Sequence, residues 1–169
     1  MSPTHQPILA TVVDDDGFER FYRANYRQAV ALGSVLSGRR AVGEELAQEA
    51  FSAAYARWGE VAGYDEPGAW LRRVIANKAA SHVRRLVRYR EKIRLIREPT
   101  TTDPEADEVW DEVRRLPVRQ AQAIALHYLE DLPVSDIAAI LECSESAVKT
   151  HLTRARARLA ERLGTENDG

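Results

Sequence analysis

Cysteine is nearly missing from this chain. Cys143 is the only one in 169 residues, which excludes an internal disulfide and argues against a thiolate zinc site. The four histidines, His5, His82, His127 and His151, lie far apart with no ligand spacing between them. Glycine (9 residues) and aromatics (7%) are sparse while Ala, Leu, Arg and Glu abound, a balance that points to an all-α protein. There is no glycine-rich phosphate loop, no nucleophile paired with a base and no metal spacing, so neither catalysis nor a cofactor nor a metal is expected. No apolar run approaches the roughly 20 residues of a membrane span, and no signal peptide precedes the first expected helix. The expected location is the cytosol, without membrane insertion.

A basic excess is also lacking. The net charge is −2, an odd value for a protein that binds nucleic acid unaided. The charges are nevertheless segregated. Arg72, Arg73, Lys78, Arg84, Arg85, Arg88, Arg90, Lys92, Arg94 and Arg97 form a basic block. Glu98, Asp103, Glu105, Asp107, Glu108, Asp111 and Glu112 follow as an acidic one, and the C-terminal segment turns basic again. Such an order suggests two nucleic-acid contacts separated by a segment with another task.

Residues 1–13 have little pattern and are expected to be a flexible tail. Asp14, Asp15 and Asp16 supply capping carboxylates for a helix through Phe18, Phe21, Tyr22, Tyr26, Ala29, Val30, Gly33 and Leu36, with Gly38 as its terminator. A second helix is predicted from about Ala41 to Trp58, apolar through Val42, Leu46, Ala47, Phe51, Ala54 and Trp58, with Glu45, Gln48, Glu49 and Ser52 on its polar side. A loop over residues 59–65 leads to a long helix opened by Pro67 in the first turn. Its core stripe is Trp70, Leu71, Val74, Ile75, Ala79, Val83 and Leu86. Arg73, Asn77, Arg84 and Arg88 share the opposite face, where they can track a phosphate backbone, with Asn77 placed to read a base edge and Tyr64 beside them to stack an unpaired base. Residues 98–108, rich in proline, threonine and acid, read as a linker between domains at 14–97 and 109–164, with 165–169 as a tail.

The second domain starts with Val109, Trp110, Val113 and Leu116, and Pro117 opens a helix to Tyr128. Ser135 is expected to cap the next helix, whose inner face holds Ile137, Ala138 and Leu141. Glu142, Cys143 and Ser144 leave room only for a tight turn, after which Val148, Leu152, Ala155 and Leu159 form another buried stripe. Two short helices joined this way make a helix-turn-helix, and the second fits the DNA major groove. Its outward side carries Ser146, Thr150, Thr153 and Arg154, flanked by Lys149, His151, Arg156 and Arg158, donors suited to base edges and phosphates.

These segments together resemble the sigma-70 family of bacterial RNA polymerase sigma factors, in its small extracytoplasmic-function group. Gly43-Glu44-Glu45-Leu46-Ala47-Gln48-Glu49-Ala50-Phe51 is similar to the family's region-two signature Ala-Glu-Asp-Leu-Val-Gln-Glu-Val-Phe. Trp70-Leu71-Arg72-Arg73-Val74-Ile75-Ala76-Asn77 with Arg84-Arg85 resembles the helix that follows it. Leu116-Pro117, Asp136-Ile137-Ala138, Ala147-Val148-Lys149-Thr150 and Arg154-Ala155-Arg156 resemble region four. The resemblance implies two small helical domains joined by an acidic linker, and a transcription initiation factor without catalysis. It implies core RNA polymerase as partner, through the β′ clamp helices at Glu45, Leu46, Gln48 and Glu49 and through the β flap. It implies promoter DNA as the second partner: the minus-ten element at Tyr64, Arg73, Asn77, Arg84 and Arg88, and the minus-thirty-five element at Ser146, Lys149, Thr150, Thr153, Arg154 and Arg158. It also implies an anti-sigma factor and an acidic linker that threads the later RNA channel; because the chain stops soon after Leu163, no regulatory C-terminal domain is expected. The chain departs from the pattern at Glu142, where the family's turn usually has Gly, at Ser146-Ala147 for Gly-Thr, and at His151 for Arg. A stand-alone helix-turn-helix regulator, which would bind operators as a dimer, and a helical adaptor are the alternatives.

Overall fold

The computed structural model describes residues 14–92 and 108–164, without the side chains of residues 90–92. The expected linker up to residue 107, with Asp103, Glu105 and Asp107, and both expected tails lie outside the described residues. Among the described residues there are eight helices and no strand. They are α1 (Asp15–Ser37), α2 (Arg40–Ala56), α3 (Trp58–Val61), α4 (Pro67–Lys92), α5 (Glu108–Arg114), α6 (Val118–Tyr128), α7 (Val134–Leu141) and α8 (Glu145–Gly164).

The ends of α1 follow from local chemistry. The Asp14 carboxylate accepts from Gly17 N–H at 3.0 Å, and Asp15 and Asp16 complement the positive end of the helix dipole. At the other end Gly38 adopts φ 83° and its N–H donates to Ser34 O at 2.8 Å, the left-handed cap that glycine enters without strain. α1 and α2 cross where Gly33 meets Gly43. A Cβ on Gly33 would stand 3.0 Å from the Gly43 backbone, so the missing side chains set the closeness of this crossing. Phe18, Phe21, Tyr22, Phe51 and Trp58 fill the end of this pair, with Phe18 and Trp58 edge to face at 5.3 Å.

Trp58 alters the expected chain path. α2 stops at Ala56, Arg57 leaves the helix at φ −121° and ψ 22°, and Trp58 opens the separate one-turn α3 where a loop was expected. The indole that follows the break is buried against Phe18 and Phe21. Pro67 does open α4, which buries Leu71, Ile75, Ala76 and Ala79 against α1 and α2.

In the second half, one expected cap moves. Pro117 is the extended cap residue directly before α6, and Pro133 rather than Ser135 is the cap of α7, with Ser135 one residue inside the helix. Proline suits both places because its fixed φ aims the chain into a helix and it has no N–H to leave unpaired. The turn from α7 to α8 falls at the expected residues. Ser144 Oγ accepts from Ala147 N–H at 3.1 Å, and Glu142 occupies the left-handed position at φ 53° and ψ 48°. A residue with a Cβ there costs about 1–2 kcal/mol relative to glycine.

The two halves pack on one another through a continuous core. Gln122, 3% exposed, donates Nε2–H to Ala76 O at 3.0 Å, so a polar side chain inside the core is satisfied by the α4 backbone. Arg72 pairs with Glu130 at 2.9 Å, and the Glu130 side chain is only 2% exposed.

Candidate nucleic-acid interface

The α8 stripe of Val148, Leu152 and Ala155 is buried against α6 and α7, which fixes the rotation of the helix. Ser146, Lys149, Thr150, Thr153 and Arg154 therefore face outward, and they line one shallow concavity of about 290 Å³. Thr150 Oγ1 donates back to Ser146 O at 3.0 Å, which leaves the oxygen's lone pairs directed outward. Arg158, expected on this same face, lies outside the concavity. It is exposed but turned along the helix toward α6, where it donates to Gln120 Oε1 at 3.1 Å. Arg156 likewise leaves the face and donates to the Tyr128 hydroxyl at 2.8 Å.

The α4 set is spread over several turns. Asn77, Arg84 and Arg88 are exposed, and Arg84 donates to Ser81 Oγ at 3.1 Å. Arg73 is engaged elsewhere: its Nη2 donates to Ala139 O at 2.7 Å, its Nε to Ile140 O at 3.1 Å, and it pairs with Glu142 at 3.0 Å. Tyr64 stands half-buried at the α4 end and donates its hydroxyl to Glu60 Oε1 at 2.6 Å. That bond, followed by those from Arg57, holds the Glu60 carboxyl below its ordinary range, and the same bond to Glu60 raises the Tyr64 phenol. The Arg57 guanidinium also lies 6.0 Å from the Trp70 ring centre.

On α2, Glu45, Gln48 and Glu49 are exposed, whereas Leu46 is buried at 5%. Leu46 belongs to the helix core and does not join the outward set, because the apolar spacing that makes it part of the motif turns it inward. Glu49 is paired with Lys78 of α4 at 2.7 Å. A groove of about 360 Å³, not expected from the sequence, lies between α5, α6 and α8, lined by Val109, Trp110, Val113, Ile124, Tyr128, Arg156 and Leu159. Its apolar residues come from three helices and share no single period. Among the described residues no group of His, Cys, Asp and Glu is arranged to hold a metal, and no helix is long and apolar enough to cross a membrane.

The family model of sigma-70 region 2 matches residues 21–89, and that of sigma-70 region 4 matches residues 106–159. The chain is 28% identical to the ECF RNA polymerase sigma factor SigM of Mycobacterium tuberculosis, over 96% of this chain and 86% of that one. It is 31% identical to the RNA polymerase sigma-E factor of Streptomyces antibioticus, over 73% and 72% of the two chains. The sigma factor RpoE of Bartonella quintana, solved with the anti-sigma factor NepR, shares the fold with a TM-score of 0.71 at 23% identity, covering 87% of this chain and 96% of that one. The chain belongs to the sigma-70 family of RNA polymerase sigma factors, in its extracytoplasmic-function group. Its function is to direct RNA polymerase to promoters, and the stand-alone regulator is not favoured.

Proposed function

We propose that the exposed face of α8 reads the minus-thirty-five element and that the Tyr64 loop with α4 reads the minus-ten element. The observation that carries this reading is the concavity formed by Ser146, Lys149, Thr150, Thr153 and Arg154, which gathers a guanidinium, an ammonium and three hydroxyls on a helix fixed by its buried side. Such a set suits base edges and phosphates of a major groove. Tyr64, Asn77, Arg84 and Arg88, with Arg73 once released, supply the ring and the charges for an unpaired strand. Arg158 is assigned to a flanking phosphate at most. Glu45, Gln48 and Glu49 are the contacts for the β′ clamp helices, and the apolar groove beside Trp110 and Tyr128 suits the β flap. The boundaries expected from the sequence, 14–97 and 109–164, delimit the two DNA-reading units. An anti-sigma factor as regulator, action in the cytoplasm beside the polymerase and the absence of catalysis complete the reading.

The test is run-off transcription with purified core polymerase on a promoter library. Wild-type chain is expected to select a subset of promoters, and Arg154→Ala to select a different subset. Transcription that ignores the added chain, or that is unaltered in preference by Arg154→Ala, overturns the assignment.

A further inference from the structure

We propose that Arg156 and Arg158 of α8 are positioning residues: bonded to α6 from opposite sides of α8, they set the roll of the promoter-reading face without meeting DNA. The inference rests on the reading of α8 given above. Both arginines flank the basic face, where a free guanidinium would take a phosphate. Each is instead committed to α6. Arg158 Nη1 donates to Gln120 Oε1 at 3.1 Å, and Arg156 Nε donates to the Tyr128 hydroxyl at 2.8 Å. The Arg156 guanidinium also stands 5.6 Å from the Tyr128 ring centre, within cation–π range. Gln120 is only 6% exposed, so its carbonyl oxygen has to find a donor inside the protein, and Arg158 is that donor.

The placement of the two bonds gives them their role. Ala155, fully buried, marks the line along which α8 rests on its own half. At 3.6 residues per turn, Arg156 departs from that line by about 100° on one side and Arg158 by about 60° on the other. Gln120 lies in the first turn of α6 and Tyr128 is its last residue, so the bonds are anchored about 12 Å apart. Two bonds on opposite sides resist rotation of α8 in either sense. The apolar stripe of Val148, Leu152 and Ala155 holds the helix down, but burial has no direction and fixes its roll less sharply. Base reading depends on that roll, because a hydrogen bond weakens steeply once its donor is turned off axis. The partner helix is tied to the same support: Arg119 of α6 donates to Leu141 O, at the end of α7, at 3.2 Å. α6 thus bonds to both helices of the helix-turn-helix and sets the reading face from behind.

The experiment removes the partners and keeps the arginines. Gln120→Leu and Tyr128→Phe leave every charge of α8 in place but release Arg158 and Arg156 in turn. Holoenzyme carrying each full-length variant is measured for binding to a library of upstream elements at two salt concentrations. Each variant is expected to bind the wild-type optimum about fivefold to tenfold more weakly, up to the equivalent of one charge-assisted hydrogen bond, and to shift the preferred bases. Arg158→Met should match Gln120→Leu, add nothing to it when the two are combined, and leave the salt dependence unaltered. An unaltered base preference in both partner variants overturns the inference, as does a salt slope flattened by about 0.9 in Arg158→Met, the mark of one lost phosphate contact. If Gln120→Leu does not fold, judged by circular dichroism, Tyr128→Phe decides through Arg156. A wild type without any upstream preference would overturn the α8 reading itself and the inference with it, whereas preference kept alike by wild type and variants overturns the inference alone.

Discussion

The faces of α8 and α4 are made of similar residues but stand in different conditions. α8 turns its whole apolar stripe into its own half, so five outward side chains converge with only a local bond between Thr150 and Ser146. α4 has two claims on one side: Asn77, Arg84 and Arg88 face solvent, while Arg72 and Arg73 join the other half of the molecule. The α8 face is supported by its own half alone and lies open. On α4 the shared part is Arg72 and Arg73, which are held by Glu130, Ala139 O, Ile140 O and Glu142 of the other half.

The strongest way to break this contrast is to unseat α8. Leu152 is 3% exposed and anchors the stripe, so Leu152→Ala should cost about 2–5 kcal/mol and abolish upstream reading. Leu86, only half-buried in the outer part of α4, should cost about 1 kcal/mol as alanine. Urea unfolding of the two variants measures the pair, and equal losses would mean that α8 is no better supported than α4.

The next effect separates base from phosphate on α8. Arg154→Ala should lose roughly 1–3 kcal/mol at one base position, whereas Lys149→Ala should weaken every sequence alike and flatten the salt dependence. Holoenzyme binding to a library of upstream elements at two salt concentrations distinguishes them. Identical preference profiles for Arg154→Ala and wild type would show that the concavity does not read bases.

Smaller still is the effect of Glu142→Gly on stability. Glycine relieves the left-handed strain of about 1–2 kcal/mol. It also raises the entropy of the unfolded chain by roughly 0.5–1 kcal/mol and removes a largely exposed ion pair worth about 0–1 kcal/mol. These oppose one another, so the unfolding free energy should stay within about 1 kcal/mol of wild type. A gain of about 2 kcal/mol in thermal or urea unfolding would mean that neither the entropy cost nor the ion pair offsets the strain.

Much of this arrangement was legible in the residues. Asp14 and Gly38 bound α1, Pro67 opens α4, and the α7–α8 turn ends at Ser144 as the spacing requires, because each depends on neighbours within a few positions. The break at Arg57 was not legible, since Trp58 continues the apolar period of α2 and is buried against Phe18 and Phe21 on either account. The contacts between the two halves were not legible either. Arg72–Glu130 joins residues 58 positions apart and Gln122–Ala76 O joins residues 46 apart, and neither leaves a trace in helical periodicity. At Arg73 the sequence states a helix face but not which of two partners holds it.

The smallest expected effect lies at Tyr64, in the loop proposed to meet the minus-ten element, where the hydroxyl is tied to Glu60. The Tyr64 hydroxyl is the foremost cause that holds the Glu60 carboxyl below its ordinary range, with Arg57 second. A carboxyl depressed in the folded state contributes stability that is present above its ordinary value, about 4.3, and is lost as pH falls through the lower folded value. In Tyr64→Phe the Glu60 titration should therefore move up toward the ordinary range without reaching it, because Arg57 still donates through Nε and Nη2 at 3.1 and 2.8 Å. The acid limb of the stability curve should become shallower below that range, with no change near neutrality other than the lost bond. Carboxyl resonances followed by NMR across the acid range read this directly. A Glu60 titration unmoved by Tyr64→Phe would mean that the phenol swings free in solution, and the α4 face would then lack even this local preorganisation that α8 has in its Thr150–Ser146 bond.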